Sequence, residues 1–170
     1  MSLETIQQAI ADVREFLAAN PEEAQGPGRP VTATYVDGLQ MRVDGANRTI
    51  MTDMPADYGG GGSAPTPGWF LQAGLAGCDA TLIAMRAAEA GIRITALEVT
   101  IESMWDERGL FGMGESIPPG PLNLHTRIRI CAENASHEEL YRIVEEALAR
   151  SPVADTIRRA VPTSHEIVVE

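Results

Sequence analysis

The chain has no lysine. All 13 basic residues are arginine, set against 24 acidic ones, and the formal net charge is −11 over 170 residues. Without lysine there is no Schiff-base catalysis, no lysine-held pyridoxal cofactor and no lysine-ended phosphate loop, despite the run Gly59-Gly60-Gly61-Gly62. The acidic balance repels phosphates and argues against nucleic acid and anionic membrane as partners. Cysteine is scarce: Cys78 and Cys131 are too few for a disulfide framework and suit a reducing compartment. No uninterrupted apolar run is long enough for a membrane span. The longest apolar stretch, from Trp69 to Ala88, contains Gln72, Gly74, Gly77, Asp79 and Arg86 and reads as a buried helix. The opening Met-Ser-Leu-Glu has no basic region, so no signal peptide is read and a cytoplasmic location is expected.

The apolar pattern gives an α+β order. Leu3, Ile6, Ile10, Val13 and Leu17 form one helical stripe, ended by Asn20-Pro21. Residues 1–20 read as an appended helix, 21–30 as a Pro/Gly linker and 31–170 as the main domain. Residues 31–54 read as a three-stranded meander, with turns expected at Asp37-Gly38 and Asp44-Gly45. Thr66-Pro67 opens a long central helix that is apolar nearly all round, so burial on most sides is expected, and Gly91 stops it. Two alternating strands follow, around Thr95–Ile101 and Leu122–Cys131, separated by a Gly- and Pro-rich connection. Ser136 and Glu139 make a capping box for a C-terminal helix, Ser151-Pro152 restarts a shorter one, and Ser164–Val169 reads as a last strand.

Few residues advertise chemistry. Cys78 sits about three turns into the central helix, beyond the reach of that helix's N-terminus, whose field fades within a turn. Taken alone it is a small buried hydrophobe, reactive only if a cation from elsewhere reaches it. Cys131 lies on the polar face of its strand, six residues from His125, too far to pair with it. His125, His137 and His165 fall on different elements without ligand spacing, so no metal site is expected, and no cofactor motif appears. Asp106-Glu107 and Glu138-Glu139 read as solvated charges, and the glycine run as a source of unusual backbone angles rather than an anion cradle.

Several stretches taken together resemble one family. They are Met54-Pro-Ala-Asp-Tyr-Gly-Gly60, Ala64-Pro-Thr-Pro67, Leu71-Gln-Ala-Gly-Leu-Ala-Gly-Cys78, Asp106-Glu-Arg-Gly-Leu-Phe-Gly112 and Ser136 to Val153. In order and spacing, residues 31–170 resemble the OsmC-like family, which includes osmotically inducible proteins and organic hydroperoxide resistance proteins. The resemblance implies an intertwined homodimer with sheets shared between subunits and two active sites at the interface. It implies a thiol peroxidase in which a cysteine of the central helix attacks the peroxide. A second cysteine, at a Cys-Pro helix start, resolves the sulfenic acid, and an arginine and a glutamate organise the thiolate.

Cys78 matches the attacking thiol. The resolving position is Ser151, the glutamate position is Gly68, and the arginine nearest to the family's place is Arg42, ahead of Arg48 and Arg29. The expected function is therefore reduction of organic hydroperoxides by Cys78 alone, with an external thiol as reductant. The alternative is a catalytically degenerate dimer that binds a small apolar ligand. A third class, an adaptor module meeting a partner through helix 2–19, ranks behind both.

Overall fold

The computed structural model describes residues 2–170. It is a mixed α+β chain with two antiparallel sheets. Its internal contacts fall into two units, one of residues 8–73 and one of residues 74–170 together with the start of the chain through Gln7.

The first unit holds most of α1 (Leu3–Ala19), then β1 (Val31–Asp37), β2 (Gln40–Gly45) and β3 (Arg48–Thr52). The strands form the expected meander, with β2 in the middle. The first turn sits one residue later than expected and the second two residues later. Asp37 pairs with Gln40, so Gly38, at φ +52°, and Leu39 make the first bend. Gly45 pairs with Arg48, and Ala46 and Asn47, at φ +49° and +60°, make the second. The glycine at 45 answers a different need. A Cβ there would stand 2.9 Å from Val31 Cγ2 on the neighbouring strand.

After β3 the chain wraps around one carboxylate. Asp53 is 1% exposed and accepts from the backbone amides of Met54, Gly61 and Ser63 and from the Ser63 hydroxyl. These donors hold its carboxyl well below the usual range, at about 2, the Ser63 amide contributing most. The glycine run supplies the expected unusual backbone angles, with Gly59 at φ +85° and Gly62 at φ +61°, and Gly61 also lends its amide to the protein's own anion. Gly60 cannot be anything larger, because a Cβ would lie 1.9 Å from the Met54 carbonyl oxygen.

The second unit is built on α2 (Pro67–Glu89), which starts in the first unit and runs through this one. The Thr66 hydroxyl accepts from the Trp69 amide, and Pro67 occupies the first helical position, as the sequence indicated. At the other end Gly91, at φ +70°, closes a Schellman cap. Its amide bonds the Ala88 carbonyl and the Ile92 amide bonds the Ala87 carbonyl.

Burial of α2 is narrower than expected. Within one chain the buried residues are Leu75, Asp79, Ile83, Ala87 and Ala88, a single stripe. Positions four apart stack on one face, and that face alone is covered. Ala87 joins Ile92, Leu140 and Ile143 in the apolar core, flanked by Ile94, Ile130 and Ala132.

Strands β4 (Ile94–Met104) and β5 (Asn123–Ala132) pair antiparallel, from Ile94 opposite Ala132 to Met104 opposite Asn123. β5 alternates strictly between exposed and half-buried residues, with Cys131, His125, Arg127 and Arg129 on the exposed face. There Arg127 and Arg129 bridge to Glu102 and Glu98 at 3.2 and 3.5 Å. The connection between the strands is not wholly irregular. Asp106 caps the one-turn helix α3 (Glu107–Leu110) and binds the Arg108 side chain, so it is a partnered cap rather than a solvated charge. Gly109 admits the Pro118 carbonyl, which a Cβ would meet at 2.1 Å.

The capping box of α4 (His137–Leu148) is complete, and Ser151 caps α5 (Pro152–Arg159). The expected last strand, Ser164–Val169, is not formed. A strand needs a ladder, and among the described residues this segment pairs with none. Ile167, Val168 and Val169 stand 85%, 75% and 89% exposed.

Candidate functional site

Cys78 lies about three turns into α2, half-buried. The residue that meets it comes from 73 positions away. The Ser151 hydroxyl donates to the Cys78 sulfur at 3.4 Å, and Ser151 is fully buried. The same hydroxyl accepts from the Ala154 amide in the first turn of α5. Ser151 is further fixed by its carbonyl, which accepts from the Asp155 amide at 2.8 Å. A helix N-terminus therefore does reach Cys78, through one hydroxyl, although it belongs to α5 and not to α2.

This arrangement has a chemical sense. A thiolate accepts a hydrogen bond more strongly than a thiol, so a donor fixed on the sulfur favours its nucleophilic form. A sulfenic acid at Cys78 would face a hydroxyl, which forms no disulfide.

The next residue, Asp79, figures in the sequence pattern only as an interruption of an apolar run. It is 1% exposed, and its Oδ1 is buried without a hydrogen-bond partner among the described residues. Its signal was available: it sits four residues after Leu75 and four before Ile83, in the middle of the buried stripe. Asp79 borders a cavity of about 230 Å³ between α2, β5, α4 and α5.

The other sequence candidates lie elsewhere in the chain. Arg42 is on β2, where its Nε bonds Asp44 at 2.8 Å and its side chain is 53% exposed. Asp44 is held below the usual carboxylate range, first by the Thr49 hydroxyl and then by Arg42. Gly68 is the second residue of α2, ten positions before Cys78, and supplies no side chain. Cys131 is exposed on β5. Among the described residues no three His, Cys, Asp or Glu side chains gather to hold a metal ion. Among the described residues no helix is long and apolar enough to cross a membrane.

Residues 60–166 match the family model described as OsmC-like protein. The chain belongs to the OsmC-like family. A comparison with curated proteins gives no match. Among solved structures the OsmC-like chain is similar to an OsmC-like protein of Mycoplasma pneumoniae, at 17% identity and a TM-score of 0.67. That match covers 79% of this chain and 89% of the other. An organic hydroperoxide resistance protein of Legionella pneumophila matches at 20% identity and a TM-score of 0.57, over 79% and 91% of the two chains. The organic hydroperoxide resistance protein OhrB of Bacillus subtilis matches at 20% identity and a TM-score of 0.51, over 78% and 91%. At these identities the likeness is one of fold.

Proposed function

We propose that this OsmC-like protein reduces organic hydroperoxides through Cys78 alone, with an external thiol as reductant. The observation that carries the reading is the buried Ser151 hydroxyl donating to the Cys78 sulfur at 3.4 Å. The Cys78 thiolate attacks the distal peroxide oxygen, and the O–O bond breaks. One proton goes to the departing alkoxide, leaving an alcohol and a sulfenic acid. Ser151 cannot attack that sulfenic acid as a thiol would. An external thiol forms a mixed disulfide and releases water, and a second thiol returns Cys78 to its reduced form.

The printed names of the Legionella and Bacillus neighbours, both organic hydroperoxide resistance proteins, support the substrate class. The family resemblance assigns the cation that steadies the thiolate to Arg42, and Arg42→Met tests that assignment. The test of the whole reading is turnover of cumene hydroperoxide with excess dithiol. We expect catalytic consumption by the wild type and none by Cys78→Ala.

The working unit we infer is a dimer of this chain. The support is apolar surface left open in the single chain: Ile167, Val168 and Val169 at its end, and Leu110, Phe111 and Met113 in the β4–β5 connection. A stable monomer rarely exposes so many large apolar side chains close together in sequence.

A further inference from the structure

We propose that the cavity between α2, β5, α4 and α5 is a binding site for a medium-chain alkyl carboxylate, whose head is held by the guanidinium of Arg158. The inference stands apart from the chemistry of Cys78, which does not line this cavity.

Helix α5 supplies the charge. Ala154, Ile157 and Arg158 fall three and four residues apart, so they share one face, and all three border the cavity. Arg159 is engaged elsewhere, bonding Asp155 at 2.9 Å. Most arginines of this acidic chain pair with a carboxylate. The Arg158 side chain forms no hydrogen bond or ion pair with any described residue. Asp79, the other ionisable residue at the cavity, is 1% exposed and offers it almost no surface, so the accessible charge there is positive.

The walls set the rest of the ligand. Leu75, Leu124, Leu148 and Ile157 are apolar, and the cavity measures about 230 Å³. An apolar cavity of about 150 Å³ already accommodates benzene, so a chain of about six carbons fits this one. Ile157 is 41% exposed, which leaves apolar wall open to water. An alkyl tail covers that wall, while its carboxylate accepts from the guanidinium at the solvent-facing side of α5.

Isothermal titration of the full chain with sodium hexanoate at neutral pH and low salt tests the site, with n-hexylammonium chloride and sodium butanoate as controls. The net charge of −11 by itself favours the ammonium, so preference for the carboxylate isolates the local cation. We expect saturable binding of hexanoate and at least tenfold weaker binding of hexylammonium. Butanoate, two methylenes shorter, should bind at least fivefold weaker. Arg158→Gln, at an exposed position, should weaken hexanoate at least fivefold, and Ala154→Leu, which fills the cavity, at least tenfold. Cys78→Ala should bind hexanoate as the wild type does. Absence of saturable heat overturns the proposal. So does hexylammonium or butanoate binding as well as hexanoate, unchanged affinity in Arg158→Gln or folded Ala154→Leu, or lost binding in folded Cys78→Ala.

Discussion

The Ser151 hydroxyl stands between the Cys78 sulfur and the Ala154 amide, donating to the first at 3.4 Å and accepting from the second at 3.4 Å. One buried side chain thus couples the central helix to the start of α5. Ser151 offers the Cys78 sulfur a hydroxyl and no second thiol.

Removing that hydroxyl should make Cys78 less nucleophilic. In a Cys131→Ser background, which silences the exposed thiol, Ser151→Ala should slow alkylation of Cys78 by iodoacetamide about fivefold, the worth of one net hydrogen bond. It should also cost about 1 kcal/mol of stability through the lost helix cap. An unchanged alkylation rate in a folded variant would contradict the role given to Ser151.

Placing sulfur at that position should supply a resolving step. In Ser151→Cys, peroxide should yield a disulfide between Cys78 and the introduced thiol, because the side chain at 151 already lies against the Cys78 sulfur. Peptide mapping without reduction would detect it. Persistent sulfenic acid at Cys78 in this variant would show that the two side chains do not meet in solution.

The loop around Asp53 should come loose in acid. The carboxyl is depressed from an ordinary value of 3.8 to about 2, chiefly by the Ser63 amide. Its stabilisation is therefore fully present above about pH 4 and is lost as the pH falls through about 2. Amide-exchange protection of Met54 and Ser63 should follow that course in the wild type. In Asp53→Asn protection should be low and flat over the same range.

Two glycines should tolerate nothing else. Gly60→Ala sets a methyl against the Met54 carbonyl, and Gly109→Ala sets one against that of Pro118, so the backbone itself must move. Each should cost about 3 kcal/mol or more in urea unfolding. Gly28→Ala, where nothing lies within 4 Å, should cost little and serves as the control.

What could be read from the sequence was local. The Ser136–Glu139 capping box, the Thr66-Pro67 helix start, the Gly91 stop and the alternation of β5 depend on neighbours within a few residues, and each stands where expected. The OsmC-like character was legible from motif order. What failed was non-local. The second turn moved to Ala46-Asn47 because Gly45 is small for the sake of Val31, not for the bend. The breadth of α2 burial depends on what packs against its other faces, and the Ser164–Val169 strand on a ladder partner, and neither is encoded in neighbouring residues. Ser151 could be named from the resemblance, but its hydroxyl on Cys78 spans 73 positions and no periodicity points to it. Asp79 does carry a local signal, a carboxylate in register with a buried apolar stripe.

The central claim is that Cys78 is oxidised by organic hydroperoxide and has no internal partner to resolve it. Intact-mass measurement tests it most directly, after a stoichiometric dose of cumene hydroperoxide with dimedone as the sulfenic acid trap, in the Cys131→Ser background. The account predicts one dimedone adduct per chain, located at Cys78 and absent from Cys78→Ala. No adduct, or an equal adduct in Cys78→Ala, would contradict it.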